Sequence, residues 1–310
     1  MILALDLGGT NIKIAVFDLE INLIKIFKTE TNSHLGFDSV IDKITKLLLS
    51  YISKYEIKVI GIGFPSVVLE NGYVFTAPNL IGCNNINVID KLKDKIKIPI
   101  FIDNDANVAA LAELELGVGK NLNSFLYVTL GTGVGGAIIS KRKLFKGNNC
   151  GAGEIGHLII DKDDFTEDIR SYRKGILEEY LGRNQILRDA KKFYYERNHK
   201  FSNIDFDVVD ISNDATKGDL DSIKFIEGIG EILGIGISSA FNLLDFDKVI
   251  IGGGISQIHE SFYIKLLETI KLRTLPSISN SIEVYKAKFL NDAGIYGAAI
   301  LAKNNYSRTI

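Results

Sequence analysis

The sequence predicts an α/β protein of two lobes, each built on a glycine-turned β-hairpin, and three observations carry that reading. The chain has 310 residues, enough for two lobes with their own cores at about 150 residues each. Short apolar runs of strand character alternate with helical patterns along its length. The run Asp6-Leu7-Gly8-Gly9-Thr10 returns in altered form as Thr129-Leu130-Gly131-Thr132-Gly133, each time between two apolar segments, so an internal duplication is expected.

Ile2 to Leu7 reads as a buried strand, and beyond Gly8-Gly9-Thr10 the residues Ile12, Ile14 and Val16 alternate with Asn11, Lys13 and Ala15. That is strand, turn, strand. A dinucleotide fingerprint or a Walker loop needs a helix directly after its glycines, so both are disfavoured. A helix over about Phe37 to Tyr55, a strand at Val59 to Gly63, a loop with Pro65 and Pro78, a short helix, a strand at Ile100 to Asp103 and a helix from about Ala106 follow. Gly117-Val118-Gly119-Lys120 then breaks the pattern, which places the domain boundary near Gly117 to Asn123. The lobes are thus 1–118 and 119–290, with a last helix near 291–305 able to pack back on the first.

In the second lobe Leu126 to Leu130 is a strand ending at glycines, and Gly131, Gly133 and Gly136 spell G-x-G-x-x-G. The match is rejected because Ile138 to Lys143 reads as strand and basic turn. The charged stretch from Asp161 through Arg170 to Lys174 reads as a solvated loop, followed by helices to about Leu244. A strand at Lys248 to Ile251, a helix from Gln257 to Leu272, a strand at Ile282 to Phe289 and a helix from Ala293 to Lys303 complete the chain.

Composition narrows the function. With 36 Lys and Arg against 38 Asp and Glu, the formal charge is −2, and no basic excess exists to hold nucleic acid or an anionic membrane. Two cysteines, Cys83 and Cys150, make no disulfide framework and suit a reducing compartment. The start has no basic leader and no run of eighteen apolar residues occurs, so a cytoplasmic protein acting on small molecules is expected. The 29 glycines, above the usual share of about 7%, fall in clusters beside apolar segments, where backbone can approach a ligand closely.

Two glycine hairpins with Thr10 and Thr132 offer backbone N–H groups and hydroxyls that can hold nucleotide phosphates from two sides, while either alone is equally well a simple turn. Asp6, ending its strand, is suited to magnesium through water. Asp105, in Asp103-Asn104-Asp105-Ala106-Asn107, is either a helix N-cap or the carboxylate that takes a proton as a hydroxyl attacks phosphorus, with Asn104 beside it. Glu154 and His157 lie three apart; zinc would need further ligands nearby, so a polyol is preferred, against a buried structural histidine. Cys150 has no basic partner and reads as a core residue. Gly252-Gly253-Gly254 suits either a nucleoside or a tight turn, and the glycines at 228, 230, 234 and 236 suit close helix packing.

Together these residues resemble the ROK family of sugar kinases and repressors, within the actin-like ATPase superfold. Asp6-Leu7-Gly8-Gly9-Thr10 with Lys13 is similar to the first phosphate motif, Asn104-Asp105-Ala106-Asn107 to the catalytic block, and Gly131-Thr132-Gly133-Val134-Gly135-Gly136 to the second phosphate motif. Gly153-Glu154-Ile155-Gly156-His157 is similar to the family signature, and Ile250-Ile251-Gly252-Gly253-Gly254 with Asp292-Ala293-Gly294 to the nucleoside end. The resemblance implies a two-lobed actin-like ATPase (ribonuclease H-like) fold with a central cleft that takes ATP, magnesium and a hexose. It implies Asp105 as base and Ser66, Asn79, Asn104, Asp105, Glu154, His157 and Glu178 as sugar ligands. Asp6, Gly8, Gly9, Thr10, Lys13, Gly131, Thr132, Gly133, Gly253 and Gly254 fall to the nucleotide, and Asp6 also to magnesium.

The family's cysteine-rich zinc block is missing here, with Ile176 where one cysteine would stand, so no structural zinc is expected. Repressor members carry a DNA-binding module ahead of the first phosphate motif, for which five residues before Asp6 leave no room; a homodimer without nucleic-acid or membrane partners is expected. The substrate expected first is N-acetylmannosamine, phosphorylated on its 6-hydroxyl, then glucose; a non-catalytic sugar sensor is the alternative from another class.

Overall fold

The computed structural model describes residues 1–163 and 171–307 and forms two compact units. The first comprises Met1–Asn121, Lys143–Ala152 and Asn291–Ile310, the second Leu122–Arg142 and Gly153–Leu290.

In the first unit β1 (Ile2–Leu7), β2 (Asn11–Phe17) and β3 (Leu23–Glu30) form an antiparallel meander. α1 (Phe37–Ile52) leads to β4 (Val59–Phe64), which lies parallel to β1. A separate hairpin of β5 (Tyr73–Thr76) and β6 (Asn84–Asn87) precedes α2 (Val88–Lys93), and β7 (Ile100–Asn104) then joins the main sheet in the order β3-β2-β1-β4-β7. α3 (Asp105–Leu116), the short β10 (Lys143–Phe145) and α10 (Ala293–Tyr306) complete this unit. Every residue of β4 is buried, because a parallel strand between neighbours is covered on both faces. α10 packs on β1, β4 and α3 through Ala293, Ile295, Gly297, Ala298, Ala299 and Ala302. The approach is close enough that a Cβ at Gly61 of β4 would fall on the Ala298 carbonyl, and one at Gly297 on the Val108 carbonyl.

In the second unit β8 (Phe125–Leu130) and β9 (Val134–Ser140) form an antiparallel hairpin, and β11 (Lys248–Gly252) and β12 (Glu283–Lys286) extend the sheet in parallel from β8. The order β9-β8-β11-β12 repeats β2-β1-β4-β7, which is the duplication predicted from the two glycine turns. α4 (Glu178–Leu181), α5 (Arg183–Tyr195), α6 (Val208–Thr216), α7 (Leu220–Leu244), α8 (Ser261–Arg273) and α9 (Pro276–Ser279) surround it. Glycines on α7 let α8 approach: a Cβ at Gly230 would lie 2.5 Å from the Phe262 carbonyl oxygen, and one at Gly234 2.6 Å from Thr269 Cβ. Gly236 meets Leu177, whereas a Cβ at Gly228 would meet nothing within 4 Å.

Four expectations change. β3 is a strand where none was expected, because Ile24, Ile26 and Phe27 are all exposed and an edge strand wet on both faces shows no alternation. The loop with Pro65 and Pro78 contains β5 and β6. The helix expected from Gln257 begins at Ser261, after a 3₁₀ turn over Gly254–Gln257, with the Ser261 N–H donating to His259 Nδ1 at 3.3 Å. β12 ends at Lys286 rather than Phe289. Of the charged stretch after Asp161, residues 164–170 lie outside the described residues; Ser171–Arg173 is a 3₁₀ turn. Among the described residues no helix is long and apolar enough to cross a membrane.

Candidate active site

In the first unit β1 delivers Asp6 to the mouth of the first glycine turn. The Gly8 N–H donates to the Asn11 carbonyl at 2.9 Å, and Thr31 fastens the turn by donating its N–H to the Thr10 carbonyl at 2.8 Å and its hydroxyl to the Gly8 carbonyl at 2.6 Å. Thr10 is exposed, and a Cβ at Gly9 would meet nothing nearer than Asn79 Cβ at 3.5 Å, so Asn79 stands beside the turn. Lys13 Nζ lies 2.8 Å from Asp292 Oδ1 and donates to the Asn291 carbonyl, tying β2 to the start of α10.

Burial pushes the Asp6 carboxyl up to about 6, against the lowering effect of Lys13 and with a further push from Asp292. The first turn of α10 presses on it: a Cβ at Gly294 would lie 2.6 Å from the carboxyl carbon. A carboxylate at the mouth of a glycine turn is the kind of group that holds a hydrated magnesium ion, which takes most of its ligands from water and phosphate. The folded carboxyl holds its proton more tightly than the unfolded one. This group's contribution to stability is therefore greatest below about pH 4 and falls as pH rises to about 6, by roughly 1–3 kcal/mol. Thermal melts across that range are expected to show the loss in the protein and not in Asp6→Asn; the same slope in both would assign it to another group.

Asn104 ends β7 and caps α3. Its Oδ1 accepts the N–H groups of Ala106 at 2.8 Å and Asn107 at 3.1 Å, and its amide donates to the Ser66 carbonyl at 3.2 Å. Asp105 is the first helical residue, with its Oδ1 2.8 Å from the Ala106 N–H. The alternative of Asp105 as the N-cap is thereby corrected: the cap is one residue earlier, because the helix begins at Asp105 itself. Ser66 donates its hydroxyl to the Thr76 carbonyl at 2.5 Å, so Ser66, Asn104 and Asp105 come together while Asn79 stands at the glycine turn. Beneath them Asp103, buried, accepts the Asn104 N–H at 2.8 Å and the Asn107 amide at 2.9 Å, and pairs with Lys146 at 2.9 Å. Sequence reasoning assigned no role to Asp103 or Lys146; the polar pair Asp103-Asn104 closing the apolar strand β7 was the signal.

In the second unit the Gly131 N–H donates to the Gly133 carbonyl at 3.0 Å, Thr132 is exposed, and a Cβ at Gly131 would meet nothing within 4 Å. At Gly133 a Cβ would fall on the Glu178 carboxylate. That carboxylate, at the start of α4, accepts the Val134 N–H at 2.9 Å and lies 2.6 Å from Arg173. Glu154 precedes a 3₁₀ turn over Ile155–His157. Its carboxyl is pushed up by burial, held down by His157 and pushed up again by Glu178, so these three groups share one electrostatic neighbourhood. His157 is exposed and stacks on Tyr172 with ring centroids 6.5 Å apart, which overturns the buried structural histidine. Gly253 has φ +82° and a Cβ there would fall on the Leu130 carbonyl, so the turn itself requires glycine; Gly254 opens the following 3₁₀ turn.

Among the described residues the donor set does not suit zinc. Both thiols precede His157 in sequence, Cys83 and Cys150 are buried, and burial pushes Cys83 up to about 11. Ile176 is buried and bridges to Ile159. Among the described residues no cluster of three or more His, Cys, Asp and Glu is arranged to hold a metal. Elemental analysis of purified protein is expected to find far less than one zinc per chain, and a chelator should not lower its melting temperature once magnesium is restored. One tightly held zinc per chain would refute this.

The sequence profile described as "ROK family" matches residues 2–305. The chain belongs to the ROK family. A glucokinase of Halalkalibacterium halodurans is 30% identical, the alignment covering 96% of this chain and 93% of that one. A xylose repressor of Caldicellulosiruptor bescii is also 30% identical over 96% of this chain, but over 76% of its own length. Among solved structures, a ROK glucokinase from Streptomyces griseus in complex with glucose and AMPPNP superposes with a TM-score of 0.83 at 26% identity, covering 97% of this chain and 99% of the other. The Lmo2764 protein of Listeria monocytogenes, described as a proposed N-acetylmannosamine kinase, superposes with a TM-score of 0.81 at 25% identity and 99% coverage of both. This ROK protein therefore has the actin-like ATPase fold, and its repeated β9-β8-β11-β12 and β2-β1-β4-β7 sheets are that fold's duplicated halves.

Proposed function

We propose that this chain transfers the γ-phosphoryl group of ATP to the 6-hydroxyl of an N-acylated hexosamine, N-acetylmannosamine first. That it is an ATP-dependent sugar kinase of the ROK family is the coarser statement; the sugar, its hydroxyl and the residue roles are the proposal. The observation that carries it is the junction of β7 and α3, where Asn104 caps the helix and leaves Asp105 at its first position. As the hydroxyl oxygen bonds to phosphorus and the bond to the leaving ADP oxygen breaks, Asp105 takes the hydroxyl proton. Asn104, with one amide hydrogen committed to Ser66, has a second for a neighbouring hydroxyl. The turns at Gly8-Gly9-Thr10 and at Gly131-Thr132-Gly133 present N–H groups and hydroxyls of the kind that bind phosphate oxygens. Magnesium, when bound with ATP, neutralises charge on the phosphates, and Asp6 is the carboxylate proposed to hold its water.

In the second unit Glu154, His157 and Glu178 supply acceptors and a ring nitrogen for sugar hydroxyls. The N-acyl preference is supported by the absence of zinc thiolates and by likeness to the Listeria protein; glucose is the second reading, favoured by the 30% identity to a glucokinase. An acetyl group adds bulk as well as polarity, so discrimination is expected to be modest. Comparing kcat/KM for N-acetylmannosamine and glucose at one ATP and magnesium concentration decides between them: a clear preference for glucose removes the N-acyl proposal. No turnover with any hexose, together with sugar binding, would support a sensor.

A further inference from the structure

Arg173 stands five and six residues before two consecutive carboxylates and engages both. Its Nη2 lies 2.6 Å from Glu178 Oε1 and its Nε 2.6 Å from Glu179 Oε1. The three side chains are 24%, 22% and 9% exposed respectively, so water screens the pairs only in part. One guanidinium thus spans two side chains, which a planar fork can do and a point charge cannot. The other oxygen of Glu178 accepts the Val134 N–H, and the same carboxylate fills the space over Gly133. Glu179 is held from its far side by the Gln185 amide at 3.4 Å. Like charges this close repel, and without the cation between them the carboxylates are driven apart.

We propose that Arg173 is a positioning residue: its guanidinium neutralises Glu178 and Glu179 together and fixes the Glu178 carboxylate against the 131–133 turn. The proposal rests on the assignment of Glu178 to sugar, but its geometric half does not. Since Glu178 joins Arg173 to the backbone of the turn, loosening the fork loosens both the sugar ligand and the N–H at Val134.

The test compares Arg173→Met, Arg173→Lys and the double variant Arg173→Met/Glu179→Gln by steady-state kinetics, and by amide exchange at Val134. Arg173→Met is expected to raise sugar KM about 10- to 100-fold with kcat and ATP KM changed less than about threefold, and to lose most protection of the Val134 N–H. Arg173→Lys should fall between it and the parent in both readouts, and removing the Glu179 charge should recover part of the KM loss. Parent-like sugar KM and Val134 protection in Arg173→Met would overturn the proposal. If that variant does not fold, Arg173→Lys decides on the same two readouts, intermediate values supporting the fork and parent values overturning it. A parent protein without sugar turnover would remove the kinase reading alone, and the Val134 exchange would still decide the fork.

Discussion

Asp105→Asn is expected to lower turnover by roughly 10²- to 10⁴-fold while sugar binding changes little. The substitution keeps shape and keeps an oxygen where Asp105 Oδ1 meets the Ala106 N–H at 2.8 Å. The helix cap is on Asn104 and is untouched, so a folding defect is not expected to confuse the result. What is lost is the capacity to accept a proton as the hydroxyl oxygen bonds to phosphorus. The measurement is kcat against pH with sugar affinity taken separately by calorimetry. Near-parent turnover across the pH range would place the base elsewhere, and a matching loss of sugar binding would make Asp105 a ligand rather than a base.

Gly297→Ala is expected to cost about 3 kcal/mol or more, the upper part of the range for overpacking a close-packed core. The added Cβ would fall on the Val108 carbonyl, and backbone is the neighbour least able to move aside. α10 would have to lift from α3, uncovering the alanine face that packs on β1 and β4. At roughly 2–4 °C per kcal/mol for a domain of about 150–250 residues, the melting temperature should fall by about 10 °C. Gly228→Ala is the matched control: it meets nothing within 4 Å inside α7 and should stabilise by about 0.5–1 kcal/mol through helix propensity. A loss below about 1 kcal/mol at Gly297 would mean that α10 can shift along α3 without harm.

Buried elements were the ones the sequence announced. β1, β4, β8 and β11 each stand as short, mostly apolar runs beside glycine, because strands covered on both faces are largely apolar. β3 was invisible for the opposite reason: its apolar side chains are in water, so its pairing with β2 is decided by the meander and not by burial. Around Asp105 the sequence marked the residues of the junction but not which of them caps the helix, since Asn and Asp are equally good caps and one residue of register separates them. Asp103 and Lys146 meet across 43 residues of chain, and Arg173 reaches two carboxylates through a turn; such pairings depend on tertiary approach, which leaves no periodic trace. The glycines of α7 were legible as packing sites, with Gly228 the exception.

The return of α10 to the first unit has a consequence during synthesis. Every residue of the second unit, Leu122–Arg142 and Gly153–Leu290, is polymerised before α10 exists. At about 5–20 residues per second, the faces of β1, β4 and α3 that α10 covers wait on the order of ten seconds or more on the ribosome. The second sheet has all its strands by Lys286 and can close first. The first unit, although its chain leads, is thus completed last, when α10 covers its apolar face.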